Sequence, residues 1–302
     1  MVTLSAIVPA TNAPSTLDRC SAALERSKAS SDEVIVVDGP PEANAARARN
    51  LGAGKATGDV LVFVDSDVVV HDDALTRIRQ AFERDGELVA LFGSYDDAPA
   101  GPGVVSAFRN LLHHHVHQSS PGTATSFWTG LGAVRADAFA AVGGFDESVA
   151  FMEDIDLGMR LARRPGHIQL DPAILGTHLK TWTFFSMVYT DFAHRAIPWV
   201  RLLLRHRHSA GTLNLSWRHR MSAGASVAGA GGVLLRKPQI AVGSAVALVA
   251  LNGDFYALLA RRRGRIQAAT GVLLHAAHHL AGVAGVPVAV AQHLIEKRQP
   301  TR

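Results

Sequence analysis

A single cysteine in 302 residues, Cys20, excludes an intramolecular disulfide and any zinc site built on thiolates, and it suits a domain kept in a reducing compartment. Acidic residues nearly vanish toward the C-terminus: after residue 191 there are two, Asp254 and Glu296, against 15 Lys/Arg. Residues 1–191 carry the opposite balance, 24 acids against 15 bases, so the net charge of +4 conceals an acidic part and a strongly basic one. Charged residues are also scarce overall, at 19% against 48% hydrophobic, and the mean hydropathy of +0.13 is high for a soluble enzyme. A membrane contribution is therefore expected. The bases of the C-terminal part flank apolar blocks and do not alternate with exposed aromatics, which points to a membrane surface and away from nucleic acid. The first residues lack a basic segment followed by a long apolar run, so no cleaved signal peptide is expected and the N-terminal domain is expected to be cytoplasmic. No internal repeat and no long low-complexity tract interrupts the chain, whose length allows one large or two modest domains.

Three short β-branched runs bounded by turn residues, Leu4–Pro9, Glu33–Val37 and Val60–Val64, predict buried parallel strands. Glu42–Thr57, rich in Ala and Arg, suits a helix, and Asp72–Arg84 has the Leu75, Ile78, Phe82 spacing of an amphipathic one. Alternating strands and helices predict an α/β doubly wound sheet, in which ligands sit at the carboxyl ends of the strands. Those ends are Pro9-Ala10-Thr11-Asn12, Asp38-Gly39 and Asp65-Ser66-Asp67.

Asp65 and Asp67 leave one buried strand together, and hard oxygen donors of that kind suit Mg²⁺ or Mn²⁺ bridging to phosphate. Asp38 ends the preceding strand, where it could cap the Gly39-Pro40 turn. In Glu153-Asp154-Ile155-Asp156, a helix would set Asp156 roughly 200° around the axis from Asp154, so one cleft can use Asp154 but hardly both. A carboxylate there could act as a general base, or it could simply favour a helix N-terminus. Two nucleotide motifs fail. Around Gly54-Lys55-Ala56 the P-loop positions fall on Arg49 and Ala56, and Gly130-Leu131-Gly132 lacks a third glycine, whose place Arg135 takes. His113-His114-His115-Val116-His117 has no spacing proper to a known metal site.

The series of motifs resembles a family 2 glycosyltransferase of the GT-A fold, a nucleotide-diphospho-sugar transferase with a Rossmann-like sheet. The likeness runs through Ile7-Val8-Pro9-Ala10-Thr11-Asn12, Val34-Ile35-Val36-Val37-Asp38, Ala48-Arg49-Asn50-Leu51-Gly52-Ala53 and Gly58-Asp59-Val60-Leu61-Val62-Phe63-Val64-Asp65-Ser66-Asp67. It continues through Gly130-Leu131-Gly132-Ala133-Val134-Arg135, Val142-Gly143-Gly144-Phe145-Asp146 and Glu153-Asp154-Ile155-Asp156-Leu157, so it covers residues 4–161. The resemblance implies inverting transfer from a nucleotide-diphosphate sugar, with Mn²⁺ or Mg²⁺ as cofactor. It would place Pro9, Thr11 and Asp38 at the nucleotide, Asp65 and Asp67 in the metal-binding DXD motif, and Asp154 as base. Gly39-Pro40-Pro41 replaces the family's usual acid and Gly-Ser after Asp38. His178 stands where some GT-A enzymes place a further metal or diphosphate contact. The competing readings are a nucleotidyltransferase on a similar sheet and a non-catalytic membrane-bound scaffold.

The domains expected are the transferase at 1–180, amphipathic interfacial helices at 181–220, and hydrophobic helices at 221–302. Thr181–Arg207 combines Trp182, Phe184, Phe185 and Trp199 with Lys180, Arg195, Arg201 and Arg205 on or beside it, a composition suited to a bilayer interface. Ile240–Ala260 is 21 residues, long enough for the roughly 30 Å hydrocarbon core, with Asn252 and Asp254 near its end able to reach the interface, and the shorter Met221–Leu235 is expected either to cross as the short arm of a hairpin or to lie in the interface. Ile266–Leu294, interrupted by His275, His278, His279 and Pro287, leaves spanning undecided. The expected acceptor is a hydroxyl or phosphate at the membrane, on a membrane lipid, a lipid-linked glycan or a cell-envelope glycan.

Overall fold

The computed structural model describes residues 1–27, 32–206 and 216–298, so Arg207 and the end of the expected interfacial segment lie outside the described residues. The chain divides into two compact units: Met1–Ala100 with Val116–Lys180, and Gly101–His115 with Thr181–Arg302. Composition alone gives no hint that Gly101–His115 belongs to the later unit.

The first unit is built on one sheet. Strands β1 (Leu4–Pro9), β2 (Glu33–Val37) and β3 (Val60–Val64) form where the apolar runs predict them, with β1 central and parallel to both neighbours, but β2 is not buried as expected: it is an edge strand, largely half-buried, with Val36 exposed. Every residue of β3 is buried, which is why it reads as an unbroken apolar run and not as an alternating one. The remaining strands are β4 (Val68–Val70), β5 (Leu88–Tyr95), β6 (Gly122–Ala124), β7 (Leu131–Arg135) and β8 (His167–His178). The order is β2-β1-β3-β7-β5-β8-β4, with β6 on β8. Beyond β3 the sheet is mixed, because β7 enters antiparallel to both β3 and β5. Gly132 permits that insertion: a Cβ there would lie 2.2 Å from the Trp128 carbonyl oxygen and 2.6 Å from the Phe127 ring. The paired glycines around Leu131 thus answer close packing, and Arg135, in the place of the missing third glycine, donates to the carbonyls of Phe82, Asp85 and Leu88.

Helices α1 (Leu17–Arg26), α2 (Ala45–Ala53) and α3 (Ala74–Arg84) flank the sheet; α3 buries Leu75, Ile78 and Phe82, the face its spacing predicts. Helix α4 (Gly103–Gln118) runs from the second unit into the first, and α5 (Ala136–Ala141) and α6 (Glu153–Leu161) follow.

The second unit is helical. It contains α7 (Phe184–Tyr189), a π-helical stretch at Thr190–Ala196, α8 (Ile197–His206), α9 (Trp217–Leu234), α10 (Pro238–Leu251), α11 (Gly253–Arg263) and α12 (Arg265–Arg298). Phe108, Leu111, Trp182, Met187, Phe255 and Leu259 lie at its core. Helices α9 and α10 approach closely at Gly232, where a Cβ would lie 2.7 Å from the Ala241 backbone nitrogen.

The expected single span at Ile240–Ala260 does not form as one helix. Asn252 ends α10, and α11 leaves at 78°. The Asn252 amide donates to the Leu248 carbonyl and the Ser222 hydroxyl, while Arg218 donates to the Leu251 carbonyl, so side chains satisfy backbone that a straight helix would pair with itself. Conversely, the undecided segment is continuous: α12 carries Pro287 within it and, among the described residues, is the one unbroken helix long and apolar enough to cross a bilayer.

Candidate active site

The sheet register brings the ends of the first three strands level. Pro9 pairs with Val37, the residue before Asp38, and Ile7 pairs with Phe63, which sets Pro9 level with Asp65 two residues on. The Ala10 amide donates to the Val37 carbonyl at 2.8 Å, and the Thr11 hydroxyl donates to the Ala43 carbonyl at 3.2 Å. Asp38 is exposed at this edge, while Pro9 and Thr11 are half-buried.

Asp65 is held by Arg49, a residue that the sequence reading noted as a failed P-loop position and within the family likeness but gave no role. The buried Arg49 donates from Nη2 to Asp65 Oδ1 at 2.7 Å and from Nη1 to Glu153 Oε1 at 2.6 Å. Burial alone would make its charge costly, but the two carboxylates outweigh that and hold the guanidinium protonated. The signal in the sequence was faint: of the two arginines in α2, Arg47 is exposed and Arg49 buried, a difference that composition cannot show. Asn50, next on the same helix, donates to the Phe145 carbonyl and accepts from the Phe145 amide, both at 2.9 Å. That clamp needs glycine beforehand: Gly144 has φ +68°, and a Cβ there would sit 2.8 Å from Asn50 Oδ1.

Helix α6 opens on Met152 in the left-handed region, φ +66°, a conformation that costs about 1 kcal/mol or more for a residue with a side chain. It aims the following acids three ways. Glu153 is bound to Arg49, Asp156 pairs with Arg160 Nε at 2.7 Å within its own helix, and Asp154 has neither partner. The exclusion of Asp156 drawn from helical geometry therefore has a structural cause. Burial, reinforced by the Glu153 charge, pushes the Asp154 carboxyl up to about 7, and the charge of Asp65 adds to the rise while Arg49 opposes it.

Asp67 lies 3.4 Å from His178 Nε2 at the end of β8. Burial would raise its pKa, but the His178 hydrogen bond and charge, with Lys180, hold it below the ordinary carboxylate value. His178 is itself fixed by Tyr95, stacked at 4.2 Å, and Trp128 meets Tyr95 edge-on at 4.8 Å. This aromatic support was not read from sequence, because its members come from distant segments. Burial, then the charges of Asp65 and Asp67, pushes the Cys20 thiol up to about 12, so it stays protonated as a packing residue. Two half-buried carboxylates with an imidazole on one of them form an O/N donor set compatible with Mn²⁺ or Mg²⁺. Of the histidine run, His117 bonds the Gly93 carbonyl in the first unit and His115 packs on Phe255 in the second, so the run is not one cluster.

A mixed sheet with acids gathered beyond β3 and at the start of α6 is the GT-A arrangement. Residues 40–142 match the family model described as "Glycosyl transferase family 2". The pre-mycofactocin glycosyltransferase of Mycobacterium tuberculosis, strains CDC 1551 / Oshkosh and ATCC 25618 / H37Rv, is 29% identical over 207 residues. That alignment covers 61% of this chain and 40% of the relative, so the chain spans well under half the relative's length. Among solved structures, the mannosyltransferase PcManGT from Pyrobaculum calidifontis, determined with GDP-Man and Mn²⁺, superposes with a TM-score of 0.55 at 14% identity, covering 94% of this chain and 87% of that one. GalNAc-T7, determined with UDP, GalNAc and Mn²⁺, gives 0.51 at 14% identity over 74% of this chain and 51% of its own. The first unit has the GT-A fold, and residues 40–142 within the chain are similar to the family 2 glycosyltransferases.

Proposed function

We propose that the protein is an inverting glycosyltransferase that moves a sugar from a nucleotide-diphosphate donor to an acceptor hydroxyl or phosphate at a membrane. The observation that carries this reading is the division of labour among the acids. Arg49 pairs with both Asp65 and Glu153 and leaves one negative charge over, whereas Asp154, beside them, is left with a proton affinity matched to neutral pH. Asp154 takes the proton of the acceptor hydroxyl as the oxygen attacks the anomeric carbon. The bond from that carbon to the diphosphate oxygen breaks, and the configuration inverts. Asp65 and Asp67, with His178 against Asp67, would hold Mn²⁺ or Mg²⁺. A divalent ion there offsets the charge that develops on the departing diphosphate. Pro9, Thr11 and Asp38, level with Asp65 at the sheet edge, line the nucleotide side.

The membrane part of the proposal rests on α12 and on the apolar side chains the second unit leaves exposed, among them Phe185 and Leu234 at 82% and Ile266 at 85%. The basic Arg261, Arg262, Arg263 and Arg265, at the turn made by Gly264 with φ +89°, favour the cytoplasmic side.

The direct test is a thermal-shift screen of nucleotide sugars with Mn²⁺ on the detergent-solubilised full chain. One donor should raise Tm only when the ion is present, and no stabilisation by any nucleotide sugar would contradict the reading. Carbonate and high-salt extraction of cell membranes tests the location. The full chain should stay in the pellet, and its release without detergent would end the membrane claim while leaving the transferase reading intact.

A further inference from the structure

The second unit holds a cluster of histidines that the transferase chemistry does not use. His219 opens α9, while His278 and His279 lie near the middle of α12. Their ring centroids are 4.7 Å apart for His219 and His279, 5.2 Å for His278 and His279, and 5.9 Å for His219 and His278. One ring nitrogen from each lies within 4.8 Å of the others. We propose that His219, His278 and His279 bind one divalent transition-metal ion of the zinc class, which ties α9 to α12.

Two further observations point to a ligand. His279 is 3% exposed, and its Nε2 is buried with no hydrogen-bond partner among the described residues. A buried imidazole nitrogen in that state costs about 1–3 kcal/mol unless something satisfies it. His278 is oriented from behind: its Nδ1 lies 2.8 Å from Asp191 Oδ2, and the other oxygen of Asp191 accepts from Arg109 at 2.8 Å. Asp191 is thus fixed between Arg109 on one oxygen and the His278 ring on the other. A carboxylate on one imidazole nitrogen fixes the tautomer that presents the other nitrogen to a metal. Asp191 itself sits in the π-helical stretch, whose wider turn departs from regular helix at this point.

The donor set selects the ion. Three imidazoles with no carboxylate in direct reach favour Zn²⁺ or its neighbours in the first transition row over Mg²⁺ or Ca²⁺. Bonds of about 2.1 Å in tetrahedral geometry set the nitrogens roughly 3.4 Å apart, so the rings must draw in by about an ångström on binding. A fourth position remains for water or another ligand. The site also accounts for three ring nitrogens gathered on helices otherwise dominated by apolar residues, where unpartnered polar groups are expensive.

The test uses the detergent-solubilised full chain carrying Asp67→Ala, which removes the acidic site of the first unit from the count. After stripping with EDTA, Co²⁺ should bind at one equivalent per chain and give the visible absorption of a tetrahedral nitrogen-ligated ion. Zn²⁺ should displace it and raise Tm by several degrees. In the same background, His219→Ala should abolish the absorption and the Tm shift while melting cooperatively without metal. Asp191→Asn, which removes charge behind His278, should weaken Co²⁺ binding about 10- to 100-fold. His293→Ala should change nothing. Should His279→Ala fail to fold, His219→Ala and His278→Gln carry the test from two different helices. No Co²⁺ bound by the Asp67→Ala chain, or equal binding after His219→Ala, would overturn the proposal and mark the cluster as ring packing only.

Discussion

Each unit holds a group built around one buried charge, a cation in the first and an anion in the second. In the first, a cation, Arg49, lies between two acids, Asp65 and Glu153; in the second, an anion, Asp191, lies between Arg109 and His278. The first arrangement does not close. Asp154 and Asp67 lie outside its two ion pairs: burial and the Glu153 charge raise the proton affinity of Asp154, whereas, against burial, the His178 hydrogen bond lowers that of Asp67. The second is pinned on both carboxylate oxygens and serves to orient its neighbours. The difference teaches that burial of charge alone does not mark an active site. What marks it is the acid left over once the structural pairs are drawn.

That contrast can be broken from either side. The largest effect is expected from Arg49→Ala, which strands Glu153 and Asp65 beside Asp154. Breaking a buried pair by removing one partner costs about 3–5 kcal/mol, so Tm should fall sharply and transfer should drop to background. Preservation of both would show that the acids are balanced by something other than Arg49. Next is Asp67→Ala, expected to lower kcat/KM roughly 100-fold, about 2.7 kcal/mol of transition-state stabilisation, and to remove the Mn²⁺ dependence of donor binding. Metal-dependent donor binding that survives the change would move the ion elsewhere. The smallest is in the second unit: Asn252→Ala removes the bonds to Ser222 and the Leu248 carbonyl and should cost about 1 kcal/mol, read as a modest loss of Tm with transfer retained.

What could be read from the sequence follows the distance over which the information acts. Strands β1 and β3 and the acids after β3 were legible because a buried strand writes itself as a continuous apolar run and its end is a fixed place in the fold, whereas β2 carries the same apolar run although it is only half-buried. The separation of Asp156 from Asp154 was legible too, since it needs only the angle between residues of one helix. Arg49 was not, because its role depends on a partner 104 positions away. The aromatic support of His178 was hidden for the same reason, since β5, β8 and the loop before β7 supply its parts. In the second unit the apolar stretch 240–260 read as one span with Asn252 and Asp254 reaching the interface near its end, whereas α10 stops at Asn252, where side chains of α9 meet it. Pro287 misled in the other direction: a proline inside an apolar helix disturbs one turn without ending it.

The pH dependence ties the surplus acid to the chemistry. With its pKa pushed up to about 7, Asp154 is protonated below neutrality, so kcat should fall as pH drops through about 7 if it is the base. The linkage to stability has the opposite sense. Because the folded state binds this proton more tightly than the unfolded chain does, the group's contribution to stability declines as pH rises from the ordinary carboxylate range toward 7. Asp154→Asn should therefore melt no lower than the parent at neutral pH and should lose that part of the pH dependence. The decisive measurement is turnover of Asp154→Asn at saturating donor and Mn²⁺, alongside its donor affinity. A fall in kcat of roughly 100-fold or more with donor binding unchanged is the predicted result, and near-normal turnover with the parent's pH profile would contradict the account.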